Sequence, residues 1–333
     1  MKLKAGIIGL GVGEQHIYGY NSHPDVEVVS LCDFDAQKLA DVKTRHPNLN
    51  YTQNADEILE DKNIDIVSIA SFDNFHTEQI CKGIKNRKHI FAEKPVCLHF
   101  HEAQEIRKTL NNHPNIKLSS NLILRLSPRF IELKKSIENK ELGTIQYVEA
   151  DYHYGRLHKI TQGWRNELDF YSIIHGGGVH VIDLLRWLTN DEIVKVSAVG
   201  ANTSKNVTNF KYNDVVTSIL EFKSGLIGKI GVNFSCMKPH SHKLSVFGDL
   251  ATFENDVPNA RLYSSRDPKT EYHEIKTAYP GVSKGDLITS FIDSIIYDST
   301  PIVDCEDVFK TMAVCFAIEK SSKTFESVIV QNI

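Results

Sequence analysis

A chain of 333 residues with 41% hydrophobic and 24% charged residues has a globular composition and exceeds what one hydrophobic core usually organises, so two domains are expected. No apolar run approaches the ~18 residues of a membrane span, and a net charge of -4 with scattered Lys and Arg offers no basic stripe for a phosphate backbone, which argues against membrane and nucleic-acid partners. Cys32, Cys81, Cys97, Cys236, Cys305 and Cys315 are widely spaced with no C-x-x-C pair, and the N-terminus shows no signal-peptide pattern, so a cytoplasmic protein with reduced thiols is expected.

From residue 4 to about residue 121, short β-branched runs alternate with longer amphipathic segments, the signature of βαβ units and a parallel sheet. Strands are predicted at 5–8, 26–32, 64–70, 89–92 and 116–119. Helices are predicted at 14–20, 36–45, 74–86 and 101–111. This half reads as a doubly wound α/β domain.

Beyond residue 126 the rhythm changes. A helix at 129–139 leads into a long alternating stretch at 144–154, followed by strands at 194–201, 215–222, 226–234 and 244–247. Ser224-Gly225 separates two of these runs by two residues, as a tight hairpin would. Two helical patterns, 287–297 and 304–323, close the chain. The expected architecture is a doubly wound α/β domain over residues 1–122 and an α+β domain over 123–333 with a large, mostly antiparallel sheet. Because such a sheet can leave an apolar face uncovered, a homo-oligomer is expected.

The first strand runs into Gly9-Leu10-Gly11-Val12-Gly13, a helix follows, and the second strand ends at Asp33. Glycines there allow a sharp turn and the approach of a pyrophosphate to a helix N-terminus, whose free N–H groups and dipole favour anions. Asp33 lies at the spacing, about 20 residues on, expected of a carboxylate that binds ribose hydroxyls. Its charge would repel a 2′-phosphate and no Arg follows it, so NAD is expected rather than NADP. The usual third glycine is absent, since Glu14 stands in its place and Gly13 comes one residue early.

With Phe91-Ala92-Glu93-Lys94-Pro95 added to this loop and acid, the sequence resembles the Gfo/Idh/MocA oxidoreductases. The similarity continues through Ser71-Phe72-Asp73-Asn74-Phe75-His76, Leu142-Gly143-Thr144-Ile145, Trp164-Arg165 and Gly176-Gly177-Gly178-Val179-His180-Val181-Ile182-Asp183. The resemblance implies a Rossmann domain followed by an open-sheet domain, with nicotinamide and substrate at their junction. It also implies that Lys94 lies beside the nicotinamide and the reacting hydroxyl, with His180 facing it from the second domain. Ser71, Phe72, Asn74, His76 and Glu93 match positions that line the cofactor, together with Gly9, Gly11, Val12, Gly13, Asp33 and Lys94.

The expected chemistry is hydride transfer to or from a ring hydroxyl or ketone of a sugar, nucleotide sugar or cyclitol. An ammonium at Lys94 suits stabilisation of the alkoxide, and His180 suits proton exchange near neutrality. On a helix starting near Gly176, Val181, Ile182, Leu185 and Leu188 share an apolar side, with His180 and Asp183 on its border. Asp183 lies three residues from both His180 and Arg186, so it either orients the imidazole in a catalytic role or pairs with the guanidinium. Many relatives carry an aspartate where Gly176 stands. His175, Asp169, Tyr171 or Tyr154 could substitute for it, or Lys94 and His180 could act alone. The missing aspartate also leaves open a non-catalytic NAD-binding sensor of the same fold. The histidine pairs His175/His180 and His153/His158 lack the spacing that puts two ligands on one helix face, so no metal is expected. The alternating polar and aromatic residues at 147–154 suit either a sugar-binding face or a half-buried strand.

Overall fold

The computed structural model describes residues 2–333. The chain forms two compact units, one of residues up to Ile123 with Ser283–Phe309 and one of Leu124–Val282 with Lys310–Asn332. The change of period near residue 122 thus marks the first crossing between units. The chain returns to the first unit in the loop before residue 286, and leaves it again inside the helical stretch 305–324, where no change of period reports it.

The first unit builds β1 (Leu3–Ile8), α1 (Glu14–Asn21), β2 (Val26–Cys32), α2 (Ala36–Arg45), β3 (Asn50–Thr52), α3 (Ala55–Leu59), β4 (Ile66–Ile69), α4 (His76–Lys85), β5 (His89–Ala92), α5 (Phe100–Asn111) and β6 (Leu118–Ser120). Its six strands are all parallel, in the order β3-β2-β1-β4-β5-β6. The order reverses between β1 and β4, and such a switch point opens a crevice at the strands' carboxyl ends. The sheet is buried on both faces, which is why Ile66–Ile69 is continuously apolar except for Ser68. The pieces not expected, β3 and α3, are short and partly exposed, so their apolar pattern is weak.

The glycine turn is dictated by close backbone approach. Gly9 has φ +87, and a Cβ there would lie 2.3 Å from the Ala70 carbonyl oxygen. A Cβ on Gly13 would lie 2.1 Å from the Gly9 carbonyl oxygen and 3.0 Å from Ile7 Cγ2. Gly13 therefore supplies the tight contact of helix on strand that a third glycine normally supplies. Glu14 is free for another task, a two-pronged pair with Arg45 at 2.6 and 3.0 Å.

The second unit contains α6 (Pro128–Glu138), β7 (Ile145–His153), α7 (His158–Thr161), α8 (Trp164–Glu167), α9 (Val179–Thr189), β8 (Ile193–Ala201), β9 (Val215–Phe222), β10 (Ile227–Asn233), β11 (Ser241–Gly248), β12 (Thr252–Asn255), β13 (Ala260–Tyr263) and β14 (His273–Ile275). Next come α10 (Asp286–Tyr297), which packs in the first unit, α11 (Cys305–Thr324), whose residues from Lys310 on group with the second unit, and β15 (Val328–Ile329). The sheet is nine-stranded, β14-β13-β12-β11-β7-β10-β9-β8-β15, and every pairing is antiparallel except β10 with β7.

Three local expectations need correction. The β9–β10 hairpin is not a two-residue turn: Gly225 N–H donates to Phe222 O at 3.0 Å, and the Phe222 amide bonds Leu226 O at 2.9 Å. That makes a three-residue loop with Gly225 left-handed at φ +93. Residues 174–178 form a π-turn ahead of α9 rather than its first α-turn. Finally, α9 has no polar border, because Val179 through Arg186 and Leu188 are all buried.

Substituting Gly13→Ala forces a methyl against the Gly9 carbonyl, which packing studies put at roughly 1–3 kcal/mol of destabilisation. Urea unfolding of the variant would show it as a lower midpoint at unchanged slope.

Candidate active site

In the first unit, the carboxyl ends of β1, β2, β4, β5 and β6 lead into Gly9, Asp33, Ser71, Glu93 and Asn121, so most of the expected cofactor residues line one edge of the sheet. Gly11 stands clear, since a Cβ there would meet no heavy atom within 4 Å, and Val12 beside it is exposed. Asp33 is buried and accepts hydrogen bonds from the Leu10 amide at 2.8 Å and the Asp35 amide at 3.0 Å. The same carboxylate lies 3.4 Å from the Lys38 ammonium, a neighbour that the sequence reading did not anticipate.

The residues after β4 divide by task. Ser71 Oγ donates to Gln79 at 2.7 Å, and Phe72 meets the exposed Phe34 edge-on at 5.3 Å. His76 is wholly buried, with Nδ1 2.7 Å from Pro95 O and Nε2 3.1 Å from Ser71 O. It staples the Ser71 turn to the Glu-Lys-Pro segment. Asn74 is exposed and lines a groove with Glu78, Lys82 and His101.

Glu93 is the buried anion of this edge. Its Oε1 accepts from Asn121 Nδ2 at 2.6 Å and from His16 Nε2 at 3.3 Å, and its Oε2 from the Lys94 amide at 3.4 Å. Burial opposes its charge, but the His16 hydrogen bond and the charges of Lys284, His16 and Lys94 overcome that penalty and hold the carboxyl well below the ordinary range. Asn121 also donates to Lys284 O at 2.9 Å. Its buried Oδ1 has no hydrogen-bond partner among the described residues, so an acceptor stands ready on this edge.

In the second unit, His180 is 5% exposed on α9. Its ring stacks on Tyr152 with centroids 6.1 Å apart and meets His242 edge-on at 6.3 Å. Tyr152 also touches Tyr154, Phe234 and His240. The Tyr279 hydroxyl accepts from the His242 amide at 2.8 Å and lies 2.6 Å from Nδ1. Burial pushes the Tyr279 phenol up to about 12. His240, His242, Phe234 and Tyr279 were not singled out from sequence. The alternation of His240 and His242 entering a strand was the one available signal.

The backbone that presents His180 needs its glycines. A Cβ on Gly177 would lie 2.6 Å from the Tyr152 ring and 2.8 Å from Phe234, and one on Gly176 would lie 2.4 Å from the Tyr171 hydroxyl. The phenol of Tyr171 fills the space a side chain at 176 would need. Asp183 receives Arg125 in a bidentate pair at 2.9 and 2.6 Å, both side chains buried, while Arg186 bonds Glu192 and Thr311. This buried ion pair ties α9 to Arg125. On β7, Val148, Ala150 and Tyr152 are buried, whereas Glu149 and Asp151 pair with Lys229 on the opposite face. The alternation at 147–154 is therefore chiefly that of a half-buried strand, and only Tyr152 and Tyr154 join the ring cluster.

A 3-2-1-4-5-6 parallel sheet with a glycine turn opening at its switch point and an acid closing β2 is the architecture of an NAD-binding Rossmann oxidoreductase. The model of an oxidoreductase family with an NAD-binding Rossmann fold matches residues 3–121, and that of the GFO/IDH/MocA C-terminal domain matches residues 130–254. The chain belongs to the GFO/IDH/MocA family. It is 24% identical to a myo-inositol 2-dehydrogenase of Thermotoga maritima over 99% of each chain. It is 25% identical to the oxidoreductase YrbE of Bacillus subtilis over 80% of this chain and 78% of that one. Among solved structures, levoglucosan dehydrogenase in complex with NADH has the same fold, with a TM-score of 0.88 at 19% identity and all of both chains covered. The myo-inositol 2-dehydrogenase of Lactobacillus plantarum superposes with a TM-score of 0.84 at 22% identity, over 99% of this chain and 100% of that one. No helix among the described residues is long and apolar enough to cross a membrane.

The depressed Glu93 carboxyl carries a pH signature. Because the native state keeps this group ionised where the unfolded chain, with a carboxyl near pH ~4.3, takes up a proton, its contribution is full above that range and is lost as pH falls toward the native value. Glu93→Gln should therefore flatten the fall in stability below about pH 5 relative to the parent, as read by urea titrations across that range.

Proposed function

We propose that this protein oxidises a ring hydroxyl, or reduces the corresponding ketone, of a sugar, nucleotide sugar or cyclitol with NAD. The observation that carries the reading is Lys94. It directly follows a buried, ionised Glu93 at the carboxyl end of β5, on the same sheet edge as the glycine turn and Asp33. The Thermotoga and Lactobacillus relatives are named as inositol dehydrogenases, and this supports the polyol class.

NAD supplies the hydride acceptor. The open space at Gly11, the Asp33 carboxyl at the end of β2 and the unpaired acceptor of Asn121 suit a dinucleotide with its pyrophosphate at the turn. The Lys94 ammonium stabilises the alkoxide as the proton leaves, and His180 carries that proton. Tyr152, Tyr154 and Phe234 give an aromatic surface for the C–H face of a ring, with His242 beside it. Asp183 acts through α9 rather than on substrate. Of the groups considered as replacements for an acid at 176, Tyr171 occupies the place such a side chain would take. Gly176 is thus a consequence of the neighbouring phenol and lends no support to a sensor that has lost its chemistry. The chain is further proposed to be a cytoplasmic homo-oligomer. Its free cysteines and the exposed Val199, Ile219 and Ile227 on one face of the second sheet support this.

The test is reduced-nicotinamide absorbance with NAD and a panel of cyclitols, pyranoses and nucleotide sugars. Lys94→Ala should lower kcat on the order of 10²–10³-fold, the usual result of removing one preorganised electrostatic group. A panel without turnover, or a Lys94→Ala enzyme as fast as its parent, would refute the proposal.

A further inference from the structure

Within the first unit, α1 contributes two polar side chains to an otherwise apolar interior. His16 and Tyr20 are both 0% exposed, as is Ser68 on β4. The Tyr20 hydroxyl donates to Ser68 Oγ at 3.2 Å, His16 Nδ1 lies 2.9 Å from the same oxygen, and His16 Nε2 lies 3.3 Å from Glu93 Oε1. An ionised carboxylate only accepts, so the Nε2 proton points at Glu93. Nδ1 faces Ser68 Oγ, which accepts from the Tyr20 hydroxyl. Burial pushes the Tyr20 phenol up, so it stays a donor. The contacts therefore link Tyr20, Ser68, His16 and Glu93 in one chain.

We propose that His16 is a positioning residue: from the helix that begins at the glycine turn, it fixes the Glu93 carboxylate, and with it the backbone that carries Lys94, in the geometry hydride transfer requires. This rests on the function proposed above. α1 starts at Glu14, capped by Gly13, so His16 lies in the first turn beyond the phosphate-binding loop. Glu93 accepts the amide of Lys94 itself. Loop, helix, imidazole, carboxylate and lysine thereby form one connected rigid path. A row of buried polar groups contributes less to stability than apolar packing of the same volume when any link is left unmet, which points to geometry as its purpose.

The contacts of His16 separate by nitrogen, which supplies the experiment. His16→Gln keeps a donor near the Nε2 position facing Glu93, whereas His16→Asn keeps only a group near Nδ1 facing Ser68. Steady-state kinetics of the full-length protein should show kcat reduced on the order of 10- to 100-fold in the Asn form, the effect of displacing a reacting group by about 1 Å. The Gln form should recover most of that loss, and both should keep a KM for NAD within about threefold of the parent. Equal kcat values in the two forms, or a change confined to the KM for NAD, would overturn the assignment. Should the parent protein turn over no polyol, the functional reading fails by itself, and the link is then read without substrate. The acylation rate of Lys94 relative to the other lysines, followed by peptide mass spectrometry, should rise severalfold in the Asn form and stay near the parent rate in the Gln form. Identical rates in all three proteins would refute it.

Discussion

A carboxylate inside a protein is tolerable only where donors meet it on every side, and Glu93 imposes that requirement on the whole carboxyl edge of the first sheet. Its donors come from α1, from the end of β6 and from the peptide that follows it. The first two are delivered by different βαβ crossovers. The parallel order β3-β2-β1-β4-β5-β6 brings these ends side by side, and a slip of either element would cost the charge one of its donors. Fold and site thus share one constraint: the sheet must register correctly for the anion to be satisfied, and the satisfied anion fixes the segment that bears Lys94.

Glycine serves a related purpose in both units, where backbone must come closer to its neighbours than a side chain allows. In the first unit Gly9 lies on the Ala70 peptide and Gly13 on Gly9, so α1 starts against the strand ends. In the second, Gly177 lies on the rings of Tyr152 and Phe234, so the π-turn and α9 sit low on the sheet. The result is an imidazole pressed among aromatic rings, with the Tyr171 phenol filling the space beside Gly176. Gly19 repeats the device, since its Cβ would lie 2.4 Å from the Gly285 carbonyl, which lets α10 close over α1.

Much of this was legible because local period and turn chemistry agreed with the final fold. The strands at Val26–Cys32, His89–Ala92 and Val215–Phe222 and the helix at Ala36–Arg45 lie where alternation and amphipathicity put them. The short strands β3, β12, β13, β14 and β15 were not, because two to four residues carry too little pattern to rise above a loop. The glycine turn, Asp33 and Glu93 were legible as a motif at a known spacing. His16 was not, because its partners Ser68 and Glu93 are 52 and 77 residues away and only the folded sheet brings them to it.

The misreading of α9 shows where the period argument fails. A helix with His180, Asp183 and Arg186 at regular spacing looks amphipathic, and the natural inference is that its polar residues face water or one another. In the structure they are buried, each with its own partners: rings around His180, Arg125 for Asp183, Glu192 and Thr311 for Arg186. Breaking a buried pair such as Arg125–Asp183 leaves a charge uncompensated and costs about 3–5 kcal/mol, so these groups hold the helix as firmly as leucines would while fixing its rotation. Rotation is the property that matters for His180, because a helix held only by apolar packing could turn by a fraction of a residue without much loss. The two arginines remove that freedom, and the imbalance between polar sequence and buried position marks α9 as a helix selected for where it points one imidazole.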